Sequence, residues 1–573
     1  MLGGGGGVKE FYNYLNTSIV CSQLLSVVDV TRVVELKMDH KHTFFNKIID
    51  IVKEETASDV PLIDFKHPKE LEKILDLDIS NGIDDIELER CVRQVLRYSI
   101  KTNKHSFRNQ LYGATDPYGL CGAWIAEAFN TSQYTFEVAP AFTLVELKMI
   151  SHILRLFGIP DGDGIFSPGG SVSMLYALVA ARYKAFPEVK TKGVRSLPDV
   201  VVFTSEDSHY SIMKGAHWLG FGTDNIIQIA TNEFGQMDVA QLAASIQRER
   251  DLGRYPVMVN ATAGTTVLGA IDDLDAVAEV CQKHGIWMHV DACWGGSLIL
   301  SRKYKHRLKG IERANSISWN PHKMVGAPLQ CSVFLIRERG LLHAANCASA
   351  QYLFQQDKFY DINYDTGDKG IQCGRKIDAF KLWTLWKARG DEGLNILMDR
   401  TMEVAEFCIE TVASRPGFRL VSAPLQCPNV CFWYIPKFMR GKTEDAGWWE
   451  LMHNITKKIK ELLTTSSRLM VAYMPLRQRK NFFRLAFSFH PVIKETEVLE
   501  MLQAIEDCGE MVKSHRRQTD WPHVCVEDSG AVQLQDGDVV MIVGHFVALV
   551  LSDLYHTEVI SAGIVGALQV VFA

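Results

Sequence analysis

At 573 residues the chain is too long for one simple domain, with room for a large core and a smaller partner domain. Its 47% hydrophobic and 22% charged residues fit a soluble globular protein, and a net charge of −6 leaves no basic footprint for nucleic acid. The 13 cysteines include no CxxC pair and no histidine cluster at metal-ligand spacing. They read as reduced thiols of a cytoplasmic protein, with no disulfide framework and no metal site expected.

Residues 1–60 read as a variable N-terminus. A glycine run at residues 3–7 opens it, without the basic region and small-residue cleavage site of a secretory signal. Residues 43–54 carry helical spacing through Phe44, Ile48 and Ile51. A helical segment over 61–115 follows, with helices expected at 70–75 and 86–98. Two polar-aromatic loops, 107–113 and 130–140, flank a helix near 120–129. Such loops either line a pocket or carry incidental aromatics in solvent.

Phe166-Ser167-Pro168-Gly169-Gly170-Ser171 leads into a helical run over 172–186. Glycines let backbone N–H groups approach an anion, and the helix start supplies unpaired donors. A plain turn with an N-cap reads the same way. From residue 200 the pattern alternates. Strands are expected at 200–204, 226–230, 257–260, 286–290, 316–319 and 332–336, with helices at 239–248 and 274–284. This order implies a mostly parallel sheet covered by helices, with ligands at the carboxyl ends of its strands. Those ends carry Ser208-His209-Tyr210-Ser211, Thr262-Ala263-Gly264-Thr265-Thr266, Asp291 and Asn320-Pro321-His322-Lys323.

The carboxylate of Asp291, followed about thirty residues later by Lys323, suits pyridoxal phosphate. That cofactor needs an amine for its aldehyde and an anion beside its pyridinium nitrogen. Beyond the lysine, 352–368 is polar and aromatic with weak periodicity, a long loop of the kind that serves as a lid. A second unit over 394–514 has helices at 402–412, 448–463 and 495–512 and strands at 429–434, 469–473 and 481–487. The tail, 515–573, is atypical and expected to be disordered or loosely packed. Its apolar stretches at 539–552 and 559–573 fall short of the roughly 20 residues of a membrane span. They read either as an appended membrane-associating tail or as translation of sequence that is not normally coding. The second is the expectation, so membrane association is not expected.

Asn320-Pro321-His322-Lys323, preceded at this distance by Asp291-Ala292-Cys293-Trp294-Gly295-Gly296, resembles the group II pyridoxal-phosphate-dependent decarboxylases that act on glutamate, aspartate and cysteine sulfinate. The likeness runs from about residue 67 to about 512. It implies a fold type I α/β enzyme. A large, mostly parallel seven-stranded sheet domain would span 116–393 and a smaller α+β domain 394–514, with the N-terminal helical segment packed on a second subunit of a homodimer. It further implies that Lys323 bears the cofactor, Asp291 faces its ring nitrogen and His209 lies flat on its ring. Gly170, Ser171, Ser211, Thr266, Asn320 and His322 become cofactor contacts, with Cys293 near the ring. Tyr360, on the lid, would return a proton to the substrate carbon of the partner's site. Gln110, Tyr112 and Tyr134 would line the substrate pocket. Arg484 would hold the α-carboxylate, a task suited to a planar bidentate donor. Met174 stands where the family usually has Asn. Cys293 stands where it has Ala, and is expected to pack without loss of activity, with some sensitivity to oxidants where it is exposed in the empty site.

Glutamate and aspartate differ by one methylene, which pocket shape distinguishes by about 1–3 kcal/mol. Glutamate decarboxylases typically read Asn-Gln-Leu-Ser and Asn-Thr-Asn-Met-Phe at the two pocket loops. This chain reads Asn109-Gln110-Leu111-Tyr112 and Asn130-Thr131-Ser132-Gln133-Tyr134, closer to the aspartate and cysteine-sulfinate decarboxylases. The bulky Tyr112 should shorten the pocket. The expected reaction is L-aspartate to β-alanine, with cysteine sulfinate to hypotaurine, the taurine precursor, as a second activity. The alternatives are glutamate decarboxylation, transamination on the same fold, and a degenerate binding subunit.

Overall fold

Runs such as Val200–Ser205 and Trp287–Asp291 are buried along their whole length, as strands covered by helices on both faces must be. The computed structural model describes residues 44–515. Its first strand, β1 (Phe107–Arg108), belongs to a small sheet taken up below. The next seven, β2 (Asp163–Ser167), β3 (Val200–Ser205), β4 (Ile226–Ile229), β5 (Tyr255–Thr262), β6 (Trp287–Asp291), β7 (Ser316–Trp319) and β8 (Ser332–Ile336), form one sheet in the order β2-β8-β7-β6-β5-β3-β4. β3 to β7 pair in parallel. β8 runs against both β7 and β2, which returns β2 to the common direction. Five strands that lead into chemistry therefore end on one side of the sheet. Register sets Thr262 opposite Asp291 and Asp291 opposite Ser318.

Local signals fix the crossover helices. Helix Leu274–His284 starts where the Asp273 side chain accepts the Ala276 N–H and stops at Gly285, whose φ of 63° suits a residue without Cβ. The reading of 274–284 matches this helix at both ends. Elsewhere the reading fell short. Helix Pro140–Leu156, helix Ser211–Trp218 and β2 carry no expectation from the sequence. The expected helix at 402–412 is only part of Asp378–Ser414, a long helix bent at Gly390 (φ 64°, ψ 175°).

The small sheet adds β9 (Phe418–Leu420), β10 (Asn429–Tyr434), β11 (Met470–Leu476) and β12 (Arg479–Ala486), in the order β1-β11-β12-β10-β9. Phe432, Phe482 and Phe483 are fully buried in a core that the sheet shares with residues of helices Ala446–Thr465 and Glu495–His515. β1 pairs in parallel with β11, Phe107 beside Met470 and Arg108 beside Val471. The segment expected to be helical alone thus contributes a strand to a sheet made otherwise by the last third of the described chain. Residues 44–55 form the N-terminal helix expected from the spacing of Phe44, Ile48 and Ile51. The glycine run at 3–7 and the apolar stretches at 539–552 and 559–573 lie outside the described residues. Among the described residues no helix is long and apolar enough to cross a membrane.

Candidate active site

The carboxyl ends of β2, β3, β5, β6 and β7 border a cavity of about 190 Å³. Lys323, Asp291, His209, Gly170, Ser171, Ser211, Thr266, Asn320, His322 and Cys293 all line it, joined by Thr262, Gly264 and Trp294. Asp291 is 8% exposed. Burial works to raise its carboxyl, but the Lys323 ammonium, the Cys293 N–H donating at 3.1 Å and His209 outweigh it. The carboxyl is held below its ordinary value and stays ionised. Burial lowers the pKa of His209, and Lys323 and Lys214 add to this against the pull of Asp291. The Ser211 N–H donates to its Nδ1 at 3.3 Å, so that nitrogen is the acceptor of a neutral ring. The His322 ring lies with Nδ1 2.7 Å from the Cys331 carbonyl, and burial brings its pKa to about 4.

Several observations test whether a phosphorylated pyridine fits here. A Cβ on Gly170 would stand 2.7 Å from Cys293 Sγ and 2.8 Å from Asn320 Nδ2. The close approach of these groups to the start of helix Gly170–Ala185 thus requires glycine there. Asn320 Oδ1 and Thr262 Oγ1 are buried with no partner in the protein, a costly state that a ligand would relieve. With the unpaired N–H groups of a sixteen-residue helix at one wall and an ionised buried carboxylate at another, the cavity suits an anionic group at one end and a protonated ring nitrogen at the other. The fit is good.

Matching the chain to known proteins agrees with this chemistry. Residues 68–435 match the model of the pyridoxal-dependent decarboxylase conserved domain. The chain belongs to the pyridoxal-dependent decarboxylase family. It is 43% identical over 470 residues to the cysteine sulfinic acid decarboxylase of Rattus norvegicus, covering 81% of this chain and 95% of that protein. It is 45% identical over 457 residues to an acidic amino acid decarboxylase of Xenopus tropicalis, covering 79% and 89%. The crystal structure of mouse CSAD superposes with a TM-score of 0.80 at 41% identity, covering 82% of this chain and 99% of that one. The protein is a pyridoxal-phosphate-dependent carboxy-lyase of the fold type I class.

The structure leaves the residues assigned to the substrate outside this cavity. Gln110 is exposed, Tyr112 packs on Phe107 with ring centroids 5.9 Å apart, and Tyr134 packs on Phe354 at 5.1 Å. Tyr360 is also absent from the cavity of its own chain. Its hydroxyl donates to Asp365 at 3.0 Å, beside the buried Lys358–Asp365 ion pair at 2.8 Å, and its ring packs on Phe136. Arg484 sits directly behind the wall, donating to the Thr266 carbonyl at 2.6 Å and the Asn109 carbonyl at 2.8 Å, while Nε finds no partner. Met174 is buried in an apolar cluster and offers the cavity nothing polar. Cys293 is 7% exposed and burial, with Asp291 beside it, raises its thiol well above the ordinary value. The sensitivity to oxidants expected there is opposed by a thiol kept protonated and covered.

Sequence reading missed Asp272. Its carboxylate is 2% exposed and accepts the N–H groups of Thr262 and Met237, both at 2.7 Å, while its own N–H donates to the Thr262 carbonyl at 3.0 Å. It therefore fixes the backbone of one cavity residue from both sides. The neighbouring Asp273, a plain helix cap, hides it in the sequence.

Two predictions arise from this geometry. Asn320→Ala removes an acceptor that has no partner in the protein, so cofactor affinity should fall about ten-fold, while unfolding of the cofactor-free protein changes by less than about 0.5 kcal/mol. Spectroscopic cofactor titration and denaturant unfolding of the same variant check both halves. Burial raises Asp272 to about 6 from 3.8, so the folded protein holds this proton more tightly than the unfolded chain. The stability it contributes is full below about pH 3.8 and lost as pH rises through about 6. Asp272→Asn keeps one acceptor and turns an amide N–H₂ toward the other N–H, costing about 1–3 kcal/mol. In unfolding measured from pH 4 to 7, that cost should shrink up to about pH 6 and then stay level.

Proposed function

We propose that this enzyme α-decarboxylates small acidic amino acids, converting L-aspartate to β-alanine and cysteine sulfinate to hypotaurine, as a cytoplasmic homodimer. In this reading residues 116–393 hold the cofactor and 394–514 supply the arginine that fixes the substrate. An acidic substrate is supported by the relatives, which are decarboxylases of cysteine sulfinic acid and of acidic amino acids, each matched over about nine-tenths of its length. The loops Asn109–Tyr112 and Asn130–Tyr134 favour the shorter substrate.

The observation that carries the reading is Arg484. A guanidinium has five N–H bonds, and here two are given to the Thr266 and Asn109 carbonyls while Nε is buried and unpaired. A buried cation with spare donors beside a cofactor wall is a receptor for a carboxylate.

When bound, the cofactor supplies the electron sink that receives the bonding electrons as carbon dioxide leaves. Lys323 tethers it through its amine. Asp291, kept ionised by Lys323 and the Cys293 N–H, provides the charge that keeps a ring nitrogen protonated. Neutral His209 offers a flat face for stacking. Arg484 orients the carboxylate to be lost, and the partner's Tyr360 returns a proton to Cα, a division of labour built on positioning and fixed charge.

Two measurements test this. Carbon dioxide release from aspartate, cysteine sulfinate and glutamate should rank aspartate first and glutamate last, and a clear preference for glutamate overturns the substrate assignment. If Tyr360 serves the partner's site, Lys323→Ala and Tyr360→Phe chains, each inactive alone, should regain roughly a quarter of wild-type activity when mixed, because half the random two-fold dimers carry one intact site. No recovery in mixed dimers places the tyrosine in its own chain's site.

A further inference from the structure

His343 and Cys347 lie one turn apart at the end of the short helix Leu341–Asn346, for which Cys347 is the C-cap. Asp368 comes from the 3-10 turn Thr366–Lys369. Between them runs the loop that carries Tyr360. The structure brings one ligand atom from each, an imidazole nitrogen, a thiol sulfur and a carboxylate oxygen, within 4.8 Å of one another. The three differ in exposure: His343 is exposed, Cys347 half-buried and Asp368 6% exposed. Asp368 is already oriented, because its two oxygens accept the Ala348 N–H at 3.0 Å and the Ser349 N–H at 3.1 Å. Two acceptances leave lone pairs on both oxygens. His343 and Asp368 also line a cleft of about 960 Å³ that gives an ion a way in.

We propose that His343, Cys347 and Asp368 form a zinc site that staples the base of the lid. A thiolate, an imidazole and a carboxylate together match the ligand set of zinc, whereas magnesium and calcium take oxygen ligands. Three protein ligands leave a fourth position for water from the cleft. Binding exchanges the Cys347 thiol proton, released to solvent, for the metal–sulfur bond. It also displaces Lys190, whose ammonium stands 3.1 Å from Cys347 Sγ and donates to the Ala344 carbonyl at 2.7 Å. Lys190 is thus a built-in competitor that must swing away when the metal arrives. With both ends of the loop on one ion, the lid starts from a closed ring, and the entropy of bringing those ends together is already spent. The site touches neither the cofactor nor the substrate, so it stands apart from the substrate assignment.

The test uses the cofactor-loaded enzyme, stripped of metal by a chelator and titrated with cobalt(II), whose visible d–d bands lie at longer wavelength than the cofactor's absorption. One equivalent per chain should bind in wild type. Cys347→Ser should abolish the bands, His343→Ala should weaken binding at least about ten-fold, and Lys190→Met should tighten it. Saturating zinc should slow amide hydrogen exchange across residues 348–365 severalfold in wild type and leave it unchanged in His343→Ala, a substitution at an exposed position. Absent bands, bands that survive both Cys347→Ser and His343→Ala, or lid exchange indifferent to zinc in wild type overturn the proposal. The second of these would point to the separate cluster at Asp76, Glu87 and Cys91.

Discussion

A carboxylate at the buried end of a strand has to be compensated, or it takes up a proton and loses its charge. Asp291 keeps its charge because Lys323, arriving from the neighbouring strand β7, faces it across the cavity, and because the chain turns so that Cys293 offers an N–H. Both depend on register. Backbone bonds from Ala263 N–H to Asp291 and from Ala292 N–H to Ser318, each 2.9 Å, stitch the ends of β5, β6 and β7 into a single row. A slip of one residue in β6 would turn Asp291 to the other face of the sheet. Register thus governs the electrostatics of the cavity.

The second sheet holds the opposite wall. The Asn429 side chain donates to the Thr266 and Val267 carbonyls at 3.2 and 3.1 Å and accepts from the Trp294 indole at 2.8 Å. With Arg484 on the same Thr266 carbonyl, two residues of the small sheet converge on one peptide of the large one. Hydrogen bonds to a cation are stronger than neutral ones, so the arginine that would receive a carboxylate also holds the wall in place. The end of the loop over 352–368 has a comparable strut, the buried Arg375–Glu146 pair at 2.5 Å, with Arg375 donating as well to the Gln133 carbonyl and the Thr366 hydroxyl.

What the sequence disclosed follows from how local each signal is. The parallel strands were legible as unbroken apolar runs, and 274–284 to the residue because a cap and a glycine bracket it. The ten residues proposed to contact the cofactor line one cavity, and eight of them follow strands that the apolar pattern revealed, whereas Gly170 and Ser171 follow β2 and rest on the resemblance. β2 stayed hidden because Gly162, Gly164 and Pro168 look like turn residues, and its strand character comes from pairing with β8. β1 is two residues long and exists only through β11. Gln110, Tyr112, Tyr134 and Tyr360 were assigned by motif, and their placement depends on tertiary contacts that no spacing encodes. His343 and Cys347 form an inconspicuous pair at helical spacing, and Asp368 joins them only because a long loop folds back.

The pairing of β1 with β11 also bears on how the protein is made. Phe107 and Arg108 leave the ribosome long before their partners Met470 and Val471. At ordinary elongation rates of about 5–20 residues per second, the wait is on the order of tens of seconds. Through that interval Phe107, fully buried in the finished sheet, and the uncovered edge of its strand depend on chaperones or on transient contacts for shelter. The small sheet can close only after β11 and β12 have emerged, and Arg484, carried on β12, reaches the Asn109 carbonyl no earlier. Completing the wall behind the cofactor cavity is therefore coupled to the arrival of β12.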